Sequence, residues 1–155
     1  MYKRQDLPEI VPNLERNVRE NTIMLAVHGG KADTAVLDWS QPAAFSSSNA
    51  ESQHTAHTFP LILAADPIYS SEHPRLLVQA IDRHFSRTDC ARVVVEMPIR
   101  EAYGAERQDF RDQMTELGLR AVEEGEEIGY DDWSDGGSDG ELAEVRCWWS
   151  VWGWR

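Results

Sequence analysis

Short apolar runs and longer apolar repeats divide this 155-residue chain into predicted strands and helices. One run, 61–65, is bounded by two prolines and is followed by Asp66. A second run, 92–97, is rich in valine and is followed by Pro98. Short, continuously apolar runs of this kind are typical of buried strands in a parallel sheet. The two runs therefore predict neighbouring strands, with polar groups placed where the first of them ends.

Apolar residues with helical spacing predict three helices. The helix after the first run begins near a Ser-Ser-Glu-His-Pro segment, and a later helix over 106–118 ends at Gly118. The earliest begins at Asp6, where an acid followed by Glu9 has the spacing of a capping box. The residues predicted to face inward are Leu77, Ile81 and Phe85 in the first, Phe110, Met114 and Leu117 in the second, and Ile10, Leu14 and Val18 in the third.

The C-terminal third predicts two paired strands, 121–128 and 145–154. Alternation places Val145, Cys147, Trp149 and Val151 on one face and Arg146, Trp148, Ser150 and Trp152 on the other. Tryptophans on both faces indicate either burial on both sides or an exposed face that awaits a partner. The acidic, glycine-rich segment 130–141 predicts a solvated hairpin loop, because its acids do not follow the order of a calcium-binding loop.

The end of the first apolar run is the first candidate for chemistry. Ligands of open α/β sheets bind beyond the carboxyl ends of the strands, which is where Asp66 and Tyr69 lie. The structural alternative is that Asp66 caps the turn into the next helix and Tyr69 covers it. A short strand at 34–37 likewise ends in Asp38 and Trp39, and the polar segment 41–58 predicts a loop.

Four segments resemble, in order, pieces of the seven-strand, S-adenosylmethionine-dependent methyltransferases grouped as methyltransferase family 16. The most specific is the Asp-x-x-Tyr motif formed by Asp66 and Tyr69. Segment 6–17 is similar to the part that follows the family's second strand, 37–40 to the end of its third strand, and 147–152 to its last strand. The resemblance implies a Rossmann-like α/β fold with a mostly parallel sheet, helices on both faces and an antiparallel C-terminal strand, in a single domain over 1–155.

The resemblance also implies the roles of individual residues and an activity, transfer of a methyl group to protein lysine. Asp66 and Tyr69 are expected to be catalytic. Asp6, Asp38, Trp39, Ala64 and Ala65 are expected to bind S-adenosylmethionine, with Asp6 at the ribose and Trp39 near the adenine. A helix cap at Asp6 and core packing at Trp39 are the structural alternatives.

The family's first strand and its glycine-rich loop have no counterpart in the printed sequence, where no Gly-x-Gly pattern precedes Asp6. We therefore expect this chain to be N-terminally truncated and to bind the cofactor weakly or not at all. The alternative to an enzyme is a non-catalytic, methyltransferase-like remnant that acts as an interaction module. A dinucleotide-dependent oxidoreductase is disfavoured, because no Gly-x-Gly-x-x-Gly fingerprint is present.

Composition limits the partners. The net charge of −12 argues against direct binding to nucleic acid and suits a cationic partner such as a lysine-bearing protein. No segment is long and apolar enough to predict a membrane span. The two cysteines form no disulfide framework, which favours a cytoplasmic location, with the nucleus as a second one. His54 and His57 lack partners at ligand spacing, so no metal is expected.

Overall fold

A computed structural model describes residues 11–42, 46–47, 59–131 and 143–155. The capping box at Asp6, most of the predicted loop over 41–58 and most of the predicted hairpin loop lie outside the described residues.

The centre of the fold is a four-stranded sheet with the strand order β3–β4–β6–β5. Strands β3 (Leu61–Ala65) and β4 (Arg92–Pro98) are parallel, with Leu63 opposite Val94. Strand β6 (Ala143–Trp154) lies antiparallel between β4 and β5 (Leu119–Asp131). The α/β class, the parallel β3–β4 pair and the antiparallel C-terminal strand are confirmed. The described sheet is mixed rather than mostly parallel, because two of its three strand pairings are antiparallel.

Two helices cover one face of this sheet. Helix α3 (His73–His84) connects β3 to β4, and helix α4 (Gly104–Glu116), preceded by a short 3-10 helix at Glu101–Tyr103, connects β4 to β5. The face beneath them, which we call the helix-covered face, buries alternate side chains of the strands. These are Ala64, Val93, Val95, Met97, Trp148, Ser150 and Trp152.

The predicted inward residues of both helices are confirmed. Leu77, Ile81 and Phe85 are at most 3% exposed, and Phe110 and Met114 are fully buried. Leu117 is half-buried and packs against the core. Gly118, just beyond the end of α4, has φ at 95°, a conformation that glycine adopts without strain.

The opposite face of the sheet lacks such cover in the described part of the chain, and we call it the open face. It consists of Leu61, Leu63, Val94, Glu96, Trp149 and Val151. Leu61 and Leu63 are 53% and 63% exposed. The resemblance implied helices on both faces, whereas the described helices that pack on this sheet, α3 and α4, share one.

Among the described residues before β3, Trp39 belongs to the core and Leu37 packs against it, whereas the two helices contribute no buried residue. Strand β1 (Ala35–Val36) pairs antiparallel with β2 (Ser46–Ser47) in a separate small sheet. Helices α1 (Val11–Glu20) and α2 (Thr22–Val27) have no buried residue. The prediction that Ile10, Leu14 and Val18 form a buried face is wrong for the two residues described, since Leu14 and Val18 are only half-buried. Ile10 lies outside the described residues.

Strand β3 is an edge of the described sheet, where its ladder partner is β4 alone. An unpaired strand edge offers backbone donors and acceptors to any passing strand. Among the described helices, none has the length and apolar character needed to cross a membrane.

Candidate functional site

Asp66 lies immediately beyond the carboxyl end of β3, in an unusual backbone conformation. Its φ is 44°, in the left-handed region that aspartate tolerates better than most residues. Its backbone N–H donates to the Glu96 carbonyl oxygen at 2.7 Å, which continues the β3–β4 ladder by one residue. The turn at the end of the strand therefore presents the Asp66 carboxylate at the sheet edge where ligands of α/β proteins bind.

The carboxylate of Asp66 is paired with Arg100, a residue that sequence reasoning missed. Arg100 Nη1 donates to Asp66 Oδ1 and Arg100 Nη2 donates to Oδ2, both at 3.1 Å. The side chains of Asp66 and Arg100 are 32% and 44% exposed. Arg100 lies two residues beyond the end of β4, so its place beside Asp66 follows from the parallel pairing of the two strands and not from any local motif.

His73, also missed from the sequence, joins two predicted site residues. Its ring makes edge-to-face contacts with Tyr69, at 4.2 Å between centroids, and with Trp39, at 5.9 Å. The Tyr69 backbone N–H donates to His73 Nδ1 at 3.3 Å, so that nitrogen is unprotonated in this arrangement. His73 is 3% exposed. The structure thus connects the segment after β1 with the Asp66–Tyr69 turn through one buried imidazole.

Two other residues predicted to bind the cofactor, Asp38 and Trp39, are engaged in contacts within the protein. Asp38 Oδ1 accepts hydrogen bonds from the Ser40 N–H at 2.8 Å and from Ser40 Oγ at 2.7 Å, so its carboxylate closes its own turn. Trp39 is 3% exposed and belongs to the core.

Ala64 and Ala65 point to opposite faces of the sheet. Ala64 is buried under the helices, whereas Ala65 is exposed on the side of the open face. Only Ala65 therefore presents its small side chain where a ligand could lie against it. The ribose role of Asp6 concerns a residue outside the described ranges and stays a prediction.

The charged groups at this edge act on one another. The pKa of the Cys147 thiol is raised, first by burial and then by the nearby carboxylates of Glu96 and Asp66, while Arg100 opposes the shift. Two carboxylates and one guanidinium leave a net negative charge at the carboxyl end of β3 and β4. Such a charge favours a cationic ligand, either a sulfonium or an ammonium. Within the ranges that the structure describes, no group of three or more His, Cys, Asp or Glu side chains could hold a metal ion.

Comparison with known proteins defines the family. The model of the lysine methyltransferase family matches residues 4–116. The protein-lysine N-methyltransferase EFM2 of Saccharomyces cerevisiae is 35% identical over 128 residues, which are 83% of this chain and 28% of EFM2. The protein-lysine N-methyltransferase rrg1 of Schizosaccharomyces pombe is 30% identical over 147 residues, which are 95% of this chain and 45% of rrg1. The chain belongs to the lysine methyltransferase family, and it spans less than half the length of these two relatives.

Proposed function

We propose that the chain serves the methylation of lysine side chains in a protein substrate, with S-adenosylmethionine as the methyl donor. The observation that carries this proposal is the Asp66–Tyr69 turn. It lies at the carboxyl end of β3 with a half-exposed carboxylate, and His73 joins it to Trp39. Family membership and two relatives named as protein-lysine N-methyltransferases support it.

Each proposed role follows from charge and position. S-adenosylmethionine supplies an electrophilic methyl group on a positively charged sulfur. The Asp66 carboxylate attracts and orients a cation beside it, and Tyr69 lines the path of the lysine. The lysine ammonium would have to lose its proton to water before its nitrogen could take the methyl group, with S-adenosylhomocysteine as the product left behind. The chain's own residues would contribute orientation and electrostatics. Asp38 would lie beside the adenine, Asp6 would hold the ribose, and Ala65 would allow close approach. Trp39, which is buried in the core, would support the adenine side through its contact with His73.

The experiment that tests the function is transfer of tritiated methyl groups from millimolar S-adenosylmethionine, with the proteins of a cell extract as acceptors. Label should appear on lysine after acid hydrolysis. D66N should abolish it, because the neutral amide loses the charge that holds a cation. D89N is the control, since Asp89 is exposed in the loop before β4, at the other end of the strand. Loss of label in both variants, or label on residues other than lysine, would contradict the proposal.

The open face favours a second candidate function, a non-catalytic interaction module. Leu61 and Leu63 are more than half exposed beside the edge of β3 that has no partner among the described strands. Under this reading D66N would leave partner binding intact, and no methyl transfer would occur at any cofactor concentration. For either function we propose a lysine-bearing protein partner, no nucleic acid, and a cytoplasmic location with the nucleus as a second site.

A further inference from the structure

Both the backbone and the side chain of Asp66 are held by the neighbouring strand. The backbone N–H donates to Glu96 in β4, and both carboxylate oxygens accept from Arg100, two residues beyond the end of β4. Because the backbone of Asp66 lies in the left-handed region, its side chain leaves the strand in a direction that the regular pleat does not set. The orientation of the Asp66 carboxylate therefore depends on the Arg100 guanidinium, which forms a bidentate ion pair with it.

Arg100 is itself held on either side along the chain. The N–H of Ile99 donates to the Arg146 carbonyl oxygen in β6 at 2.7 Å, and the Arg100 carbonyl oxygen accepts from the Tyr103 N–H at 3.1 Å. The guanidinium thus extends from a backbone segment fixed to the sheet and to the short 3-10 helix. This anchoring distinguishes the pair from an ion pair between two flexible surface side chains.

The pair leaves room for a further ligand. A carboxylate has about four lone-pair positions, and a two-pronged guanidinium occupies two of them. The Asp66 side chain remains 32% exposed. A second cation can therefore reach the carboxylate while Arg100 stays in place.

We propose that Arg100 is a positioning residue for methyl transfer: its guanidinium fixes the carboxylate of Asp66, whose remaining lone pairs receive the ammonium of the substrate lysine. This inference rests on the proposed function and deepens it by assigning the residue that aligns Asp66. It predicts that the two-pronged geometry of arginine matters, and not only its positive charge.

The test compares R100K, R100Q and D66N in the full chain, with R87K as the matched control. Arg87 forms an ion pair with Asp82 and is also 44% exposed, but lies away from this edge. The first readout is nitrogen-15 NMR of the Arg100 guanidinium. A bidentate ion pair with Asp66 slows rotation of the guanidinium group and separates the signals of its two Nη atoms. The second is methyl transfer to the proteins of a cell extract, measured as a function of S-adenosylmethionine concentration.

We expect separated Nη signals in the wild type and merged signals in D66N. R100K should lower the maximal rate roughly ten- to a hundredfold and leave the KM for S-adenosylmethionine unchanged, because misplacing a group that orients the substrate weakens the reaction and not the binding of the cofactor. R87K should match the wild type.

Three outcomes would overturn the inference. Merged Nη signals in the wild type would mean that the pair does not form in solution. A wild-type rate in R100K, with D66N inactive, would leave the proposed function standing and remove the role of Arg100. A higher rate in R100Q than in the wild type would show that Arg100 blocks the carboxylate. Absence of transfer by the wild type itself would instead refute the proposed function, and this inference with it.

Discussion

The two faces of the central sheet are built from alternate residues of the same strands, yet they differ sharply in burial. On the helix-covered face Val93 and Val95 are fully buried, and the Trp152 ring packs edge-to-face on Phe110 at 5.9 Å. On the open face Leu63 is 63% exposed, although its neighbours in β3 and β4 are equally apolar. Apolar side chains alternate on both faces of these strands, but they are buried only on the face that α3 and α4 cover.

The largest expected effect is on the helix-covered face. F110A removes a fully buried ring beside Trp152 and should lower the free energy of unfolding by about 3–5 kcal/mol. L63A on the open face should change it by no more than about 0.5 kcal/mol. Urea denaturation followed by circular dichroism measures both, and F110L serves if F110A does not fold. Equal losses on the two faces would mean that the open face is covered in solution.

A smaller effect is expected where the open face is tightly packed. A Cβ atom at Gly125 would lie 2.9 Å from Cζ2 of the Trp149 ring, whereas one at Gly129 in the same strand would meet nothing closer than 3.7 Å. G125A should therefore cost about 1–3 kcal/mol through overpacking. G129A is the control and should show little loss. If G125A left the free energy of unfolding unchanged, the Trp149 ring would not pack against β5 at Gly125.

Glu124 provides a pH-dependent comparison. The hydrogen bond from Arg111 lowers the pKa of Glu124, and partial burial opposes that shift. Both side chains are about a third exposed, so at neutral pH E124Q should cost no more than about 1 kcal/mol. Because the folded pKa lies below the unfolded one, this contribution is present above about pH 4.3 and is lost as the pH falls through the folded pKa.

The check on Glu124 is the difference in unfolding free energy between wild type and E124Q, measured from neutral pH down to about pH 3. It should shrink with acidity. A difference that grows on acidification would contradict the sign of the pKa shift.

The smallest effect on stability is expected for L63K. A lysine at this exposed position should leave the free energy of unfolding within about 0.5 kcal/mol of the wild type. It should, however, reduce aggregation, because a charge on an edge strand discourages pairing with another chain. Light scattering during heating measures this. A wild-type chain that melts sharply and reversibly, without scattering, would show that the edge and the open face are no liability.

The sequence predicts helices and strands better than it predicts which other elements pack against them. The periods at Leu77, Ile81 and Phe85, and at Phe110 and Met114, identify the buried sides of α3 and α4. The same reasoning failed for Leu14 and Val18 in α1, because an apolar period shows which side of a helix could be buried and not whether anything lies against it.

The candidate site was predictable only in part, for a similar reason. Asp66 and Tyr69 stand in a recognisable motif beside a strand end. Arg100 reaches Asp66 through strand pairing, across a separation of 34 residues that local patterns do not encode. His73 lies only four residues after Tyr69, but its contact with Trp39 depends on how helix α3 packs. Arg100 lies shortly after a predicted neighbouring strand, and that position was the available signal.

The most direct test of the account is to locate S-adenosylhomocysteine on the protein. Millimolar nucleoside is titrated into isotope-labelled chain, and the backbone and indole signals are followed by NMR, which detects weak binding. A shared site at the end of β3 predicts chemical-shift changes at the Asp66–Tyr69 turn and at the Trp39 indole. The signals of Leu63 and Val151 on the open face should not change. Shifts confined to the open face, or shifts at Trp39 without any at Asp66, would contradict a shared site at the end of β3.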